Sequence, residues 1–375
     1  MTEINNSSNR IFGLDLMRAI AIIMVLCSHC LWIYPESNSV VSQIFKLFGF
    51  LGVELFFVLS GFLIGRILYK LFLEPKFSFS EIKYFLRRRW FRTLPNYFLI
   101  LLVNILIASV IGYKIESLWK YFFFIHNFSE TLPAFFPESW SLSIEEWTYL
   151  ILPFFLFVAG IIYKKNKSVL FLITIVFLIV IFQIAKIIYH INTENTTLIQ
   201  WNRDLKPVVI YRVDSILYGV LASWIYCNRI FLWGKFKVHF FIIGSLGLLF
   251  FNFGIAKMHL SQNCQNLFWN VFYLPLTSIC IAFLLPFLSE WKSANQKMQQ
   301  PIVFISTISY AIYLLHYSVI LQLMKHYIPT EKFGDLQLHI YTIIYLMLTL
   351  LWSTILYFWY EKPLTNLREI DRKIT

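Results

Sequence analysis

Along the chain, long apolar stretches alternate with short polar segments. Ten of the apolar stretches are predicted to be membrane-crossing helices. They lie at about 11–33, 48–69, 93–113, 143–163, 168–190, 208–228, 237–254, 268–290, 302–324 and 338–360. Each has the roughly 20 apolar residues that a helix needs to match the hydrocarbon thickness. The pattern predicts an all-α fold, a polytopic membrane helix bundle of about ten transmembrane helices. Residues 1–10 are polar and expected to be disordered, and 361–375 form a short tail. No repeat or composition shift divides the chain, so residues 1–375 read as one membrane domain with no fused periplasmic domain.

Composition strengthens this reading. Of the 375 residues 58% are hydrophobic and only 14% charged, where soluble domains have about a quarter charged. The net charge of +12 would suggest nucleic acid for a soluble protein. Here cytoplasmic loops explain it, and no nucleic-acid partner is expected. The first apolar run is long and lacks a small-residue cleavage site after it, so it reads as an uncleaved helix. Five cysteines mostly sit in apolar runs. Cys27 and Cys30 form a C-x-x-C beside His29 but read as small apolar packing residues, and no metal site is expected.

Lysine and arginine set the orientation. With both termini cytoplasmic, 21 of the 32 fall in inner segments and 8 in outer loops. That asymmetry favours this orientation.

Charges inside bilayer-length helices cost several kcal/mol, about 2.5–3.5 on insertion scales, and mark functional sites by default. The first span carries Asp15, Arg18 and His29. Eleven residues separate Arg18 from His29, three turns plus about 20°, so both lie on one stripe about 16 Å apart. Asp15 shares the stripe as an ion-pair partner for Arg18. Glu54 in the second span is predicted at a depth like that of His29, with Ser60-Gly61 deeper as a small-residue packing site.

Arg87-Arg88-Arg89-Trp90-Phe91-Arg92 lies between spans two and three. It reads either as positive-inside anchoring or as an anion site, since Arg89 and Arg92 share a helix face and can clamp phosphates bidentately. An outer loop is predicted over 114–142. It ends in Trp140-Ser141-Leu142-Ser143-Ile144-Glu145-Glu146, with Ser143 as helix N-cap and Glu146 at the capping-box position, which leaves Glu145 as the functional carboxylate. Arg212 and Asp214 open span six and can satisfy one another. His316 follows Tyr313 in span nine. Glu361-Lys362-Pro363 closes the last helix at its proline.

Assigned depths then collect His29, Glu54, Glu145, Arg212, Asp214 and His316 in the outer half. Asp15, Arg18, Arg89 and Arg92 collect at the inner side. An acid/base cluster faces a phosphate-type site, as for a donor entering from the cytoplasm and an acceptor presented outside.

These residues resemble a known family, the integral-membrane acyltransferase-3 proteins, which O-acylate bacterial surface glycans and some small molecules. Arg18 and His29 match its arginine-x10-histidine helix, and Phe56 to Phe62 resembles its FFxxSGF stretch. Arg89-Trp90-Phe91-Arg92 is similar to its RxxR motif. Trp140 to Tyr149 resembles WSLSxExxFY, with Thr148 in place of phenylalanine. Ser309 to His316 resembles SYxxYLxH, with Ser318 where proline is frequent, and Glu361-x-Pro363 resembles the terminal ExP. The resemblance implies a multi-pass protein of the bacterial inner membrane. It further implies an acyl-CoA co-substrate, most often acetyl-CoA, with no permanently bound cofactor. The acceptor would be a surface glycan or lipid-linked saccharide, with lipopolysaccharide, capsule, peptidoglycan and exopolysaccharide all open.

On that basis Arg18, Arg89 and Arg92 are expected to hold the nucleotide phosphates. His29 is expected to take the proton of the acceptor hydroxyl, with Glu54 or Glu145 orienting it, and an acyl-histidine remains an alternative. Asp15, Ser60, Trp140, Ser143, Arg212, Asp214, Tyr313 and His316 are expected to support the site. The competing classes are a transporter using the same groups as a relay, disfavoured by the lack of visible internal symmetry, and a non-catalytic scaffold that would not need His29.

Overall fold

The computed structural model describes residues 10–34, 39–75, 77–163, 165–193, 197–254 and 267–367. The expected disorder over residues 1–9, the fourth cysteine Cys264 and the tail from Arg368 onward lie outside them. Among the described residues every regular element is helical. Among the described residues nine helices are long and apolar enough to cross a membrane, and the fold is an all-α polytopic bundle. They include α1 (Phe12–Cys30), α2 (Val40–Leu73), α3 (Phe79–Ile111), and, after the four-residue α4 (Trp119–Phe122), α5 (Ser139–Ile162) and α6 (Lys167–Asn192). The sixth predicted span appears, after the short α7 (Leu198–Asp204), as the 16-residue α8 (Val213–Asn228). After α9 (Ile230–Lys235) come α10 (Lys237–Leu249), α11 (Tyr273–Ala282), α12 (Leu285–Glu290), α13 (Gln296–Leu315), α14 (Gln322–Tyr327), α15 (Asp335–Leu356) and α16 (Lys362–Leu367).

Several helices outrun the apolar stretches that predicted them. The arginine cluster at 87–92 is not a connector but the first half of α3. Its residues are good helix formers, and nothing before Gly112, which caps α3 in the left-handed conformation (φ 88°), stops the helix. Pro363 does not end the last helix either. It lies inside the continuous helix Asp335–Leu367, just after the π-helical turn Tyr357–Glu361.

Helices α1, α2, α8 and α13 pack at the centre. Gly61 of α2 faces the backbone of α8 and Gly219 of α8 faces that of α2. A Cβ on either would overlap a carbonyl of the other helix, at Ile216 or at Val58. The backbones therefore touch, the close approach that small residues permit.

The largest departure from expectation is the segment after α3. Predicted as an outer loop, it folds back into the bundle. The Tyr97 hydroxyl donates to the Tyr121 carbonyl (2.9 Å), and Tyr97 lies about 21 Å along α3 from its Ile111 end at 1.5 Å per residue. Tyr121 stacks on His126 and donates to the Phe135 carbonyl. Ser117, Phe124 and Phe136 take positive φ to make the turns. Non-helical backbone at such depth is tolerated only inside protein. Here Tyr121, Phe124, Phe135 and Phe136 are all buried in the core. In consequence α5 begins at Ser139, deep in the bundle. Ser143 is not its N-cap but an interior residue whose hydroxyl donates to the Ser139 carbonyl, so the expected capping box is absent.

Candidate active site

At the arginine end of the bundle, a cavity of about 110 Å³ is walled by Arg18, Ser60, Arg89, Arg92, Thr93, Glu145, Tyr149, Tyr310 and Tyr313, among others. Three expected cationic residues therefore do meet, from α1 and α3. Asp15 lies beside them, but its main partner is Arg10, which binds both carboxylate oxygens (2.9 and 2.8 Å). Arg18 lies 3.4 Å from Asp15 and also donates to Ser306 Oγ (3.2 Å). With Arg10 already neutralising Asp15, most of the Arg18 charge is available to a ligand. Arg92 makes no hydrogen bond or ion pair among the described residues and faces the same space. Thr93 and Trp90, flanking Arg92 on α3, both donate to Glu146 of α5 (2.8 and 3.1 Å). Tyr310 donates to the Thr93 carbonyl (2.8 Å). These bonds fix the arginine-bearing turn against two other helices.

Glu145 lies in this cavity, not beside His29 as expected. The Tyr149 hydroxyl donates to it (3.1 Å) and bonds Ser60 Oγ (2.9 Å). The depth assignment failed because it counted from a loop edge that the fold turns inward. Trp140 packs edge-on against Phe57, and its carbonyl accepts from Asn127.

Glu54 is likewise not a partner of His29. It forms a fully buried ion pair with Arg212 and accepts from Ser278 Oγ (3.0 Å). Arg212 does not pair with Asp214, which instead binds Lys186 and Gln183. All four charged side chains are fully buried, so each carboxylate takes the cation nearest it across a helix contact. Both pairs are anchored on the α8 segment that the glycine contacts bring against α2.

The partner of His29 is His316. His29 Nδ1 lies 3.1 Å from His316 Nε2 and 2.9 Å from the Val25 carbonyl. His316 Nδ1 lies 2.8 and 3.2 Å from the carbonyls of Tyr313 and Ile312. A carbonyl only accepts, so Nδ1 of each ring carries the proton. His316 Nε2 is then an acceptor and shares the His29 Nδ1–H with Val25. In the neutral ring His29 Nε2 is then unprotonated. It makes no hydrogen bond among the described residues, and the ring is only half-buried. His316 begins a π-helical turn, His316–Leu321, of the kind that often marks functional sites.

The two halves are separated by side chains. The arginine cavity reaches Phe56 and Tyr313, and His29 is not one of its walls. Phe56 and Tyr313 rings lie 6.3 Å apart, and Tyr313 lies 5.9 Å from His316. Ser141 bonds the Tyr313 hydroxyl (2.7 Å), which donates to the Glu138 carbonyl (3.0 Å). Sequence reasoning missed Glu138, which accepts from the Ser318 backbone (3.1 Å) and hydroxyl. Its place directly before the Ser-Trp-Ser run was the available signal. It also missed Lys186, although a lysine within an apolar span demands a carboxylate.

The helix bundle thus holds a cationic cavity at one end and, one side-chain layer away, a pair of histidines. The chain belongs to the acyltransferase domain family Acyl_transf_3, whose profile matches residues 11–358. It is 28% identical over 336 residues to the peptidoglycan O-acetyltransferase OatA of Listeria monocytogenes, covering 82% of this chain and 49% of that protein. It is 26% identical over 381 residues to the O-acetyltransferase OatA of Staphylococcus aureus strain NCTC 8325, covering 94% of this chain and 57% of that one. The chain thus spans about half the length of the curated relatives it matches. No solved structure gives a significant match.

Proposed function

We propose that this protein is an O-acetyltransferase of the bacterial plasma membrane, moving an acetyl group from cytoplasmic acetyl-CoA to a hydroxyl of a surface glycan or lipid-linked saccharide. The observation that carries the reading is the shared cavity of Arg18, Arg89 and Arg92 with the unprotonated Nε2 of His29 one side-chain layer beyond it. Both termini and the arginine end face the cytoplasm in this reading, in line with the distribution of lysine and arginine.

The chemistry follows from the residues. A CoA molecule carries phosphates at one end and the thioester at the other, joined by a slender arm. Guanidinium groups bind phosphates with charge-assisted, bidentate hydrogen bonds, and the arm extends toward Phe56 and Tyr313. A sugar hydroxyl is too weak an acid to attack a thioester unaided. His29 Nε2 takes the hydroxyl proton as the oxygen adds to the thioester carbon; the C–S bond then breaks, and the CoA thiolate takes up that proton. His316 and the Val25 carbonyl together hold the His29 ring in the tautomer this requires, the orienting role that a carboxylate plays in a triad. The peptidoglycan activity in the name of the Listeria relative makes a cell-wall glycan the first acceptor to try.

The test is purified protein in proteoliposomes with labelled acetyl-CoA and cell-wall glycan. Wild type transfers label to the glycan without solute uptake; His29→Ala does not transfer, and Arg92→Ala requires more acetyl-CoA. Full transfer by His29→Ala would refute the base assignment, and solute uptake without transfer would favour a transporter.

A further inference from the structure

At the opposite end of the bundle from the arginines, a second cavity of about 270 Å³ opens against Tyr317, which packs on His29. Trp32, Tyr113, Tyr317, Gln322 and Lys325 are among its walls. Tyr317 links it to the chemistry. Its ring centroid lies 4.8 Å from that of His29 and 6.1 Å from that of Trp32. Trp32 sits in the turn directly after α1, held there by two backbone bonds. Its N–H donates to the His29 carbonyl (3.1 Å), and its own carbonyl accepts from Lys325 Nζ (2.8 Å). Yet the indole is 58% exposed.

An exposed tryptophan near a helix end has an ordinary explanation as an interfacial anchor facing lipid headgroups. Trp359, 83% exposed and lining none of the cavities described here, fits that role. Trp32 does not, because it stands at a concave site that also holds a phenol, an amide and an ammonium group. That mixture matches a pyranose ring. The apolar C–H face of a sugar stacks on aromatic rings, and its rim of hydroxyls needs donors and acceptors such as Gln322 and Lys325.

We propose that this cavity is the acceptor subsite, taking one sugar ring of a glycan against Trp32 and Tyr317 with the hydroxyl to be acetylated beside His29. The inference rests on the acetyl-transfer reading above and deepens it. A saccharide is the class of ligand it names, as opposed to a lipid chain or an anion alone. The groove lined by Ile23, Leu26 and Cys27 also carries Tyr34, His339 and Thr342, but these polar groups already bond one another.

The experiment uses the full-length protein in native membranes of its source cell, whose own glycans serve as acceptor. Labelled acetyl-CoA is supplied, and two products are measured, acetyl-glycan and free acetate. Trp32→Ala is expected to lower the ratio of acetyl-glycan to acetate at least tenfold, and Trp32→Phe to recover at least half of it. Trp359→Ala is expected to leave the ratio unchanged. An unchanged ratio in Trp32→Ala, whether both products fall or neither does, overturns the subsite. Should Trp32→Ala not accumulate, Trp32→Gln is read in the same way. Failure of the wild type to label any glycan would instead overturn the acetyl-transfer reading, and the subsite with it.

Discussion

His29 Nδ1 and His316 Nε2 are 3.1 Å apart, and a single proton lies between them. Two other carbonyl contacts settle on which ring it resides, and the outcome leaves the free lone pair on His29 Nε2. His316 thus occupies the place beside His29 that the sequence reading had assigned to a glutamate. The arrangement suits a low-dielectric interior, where a neutral acceptor costs far less to bury than a carboxylate.

Replacing His316 by alanine removes one of the two acceptors of the His29 Nδ1–H and leaves the Val25 carbonyl, so the preference for this tautomer weakens. Transfer is expected to fall by about 10²-fold, within the span attributed to general base catalysis. Nitrogen-15 NMR of the His29 ring separates this from a packing effect. In wild type Nε2 gives the unprotonated signal, and in His316→Ala a second population with Nδ1 unprotonated appears beside it. A wild-type spectrum with Nδ1 unprotonated would contradict the assignment.

Arg89→Ala and Arg92→Ala are each expected to raise KM for acetyl-CoA about tenfold or more, with kcat less affected, since a hydrogen bond to a charged group contributes about 1.5–3 kcal/mol. If either arginine holds the 3′-phosphate, its variant no longer distinguishes acetyl-CoA from dephospho-acetyl-CoA. Loss of kcat at unchanged KM would place the arginines elsewhere in the reaction.

Phe56 and Tyr313 stand between the arginine cavity and the histidines. Phe56→Ala widens that passage without touching a charged group. The kcat/KM ratio for butyryl-CoA over acetyl-CoA is expected to rise about tenfold, the scale on which apolar pockets discriminate methylenes. An unchanged ratio would mean that the acyl group takes another route.

Glu54→Ala leaves Arg212 fully buried without its ion-pair partner and is expected to cost about 3–5 kcal/mol. The check is thermal unfolding in detergent. The paired change Glu54→Leu with Arg212→Met is expected to recover most of the loss, since both charges leave together. Were Glu54 an orienting group for His29 instead, Glu54→Gln would keep its stability and lose activity.

Much of the fold was legible because apolar length is a direct readout of membrane crossing, and each predicted span corresponds to a helix. The Arg18, Arg89 and Arg92 cavity was legible for a related reason. Helical period fixes which residues share a face, and the hydrophobic pattern places that face at one end. The partners of Glu54, Asp214 and Glu145 were not legible. Pairing across helices depends on which helices touch, and that is decided at Gly61 and Gly219, where backbone meets backbone. Depth, too, was read by counting from loop edges. The 113–138 segment defeats that count, because its phenylalanines and tyrosines fill the interior with turns that no periodicity announces.

Under the proposed function, the Phe56–Tyr313 layer carries a bioenergetic consequence. A cell that acetylates its exterior from an interior fuel must let a small acyl fragment through a membrane that also stores its proton and sodium gradients. An acetyl group is narrower than a hydrated cation and needs no water around it. A partition of one aromatic ring on either side can yield to the first and still refuse the second, so the wall can be decorated without discharging the membrane.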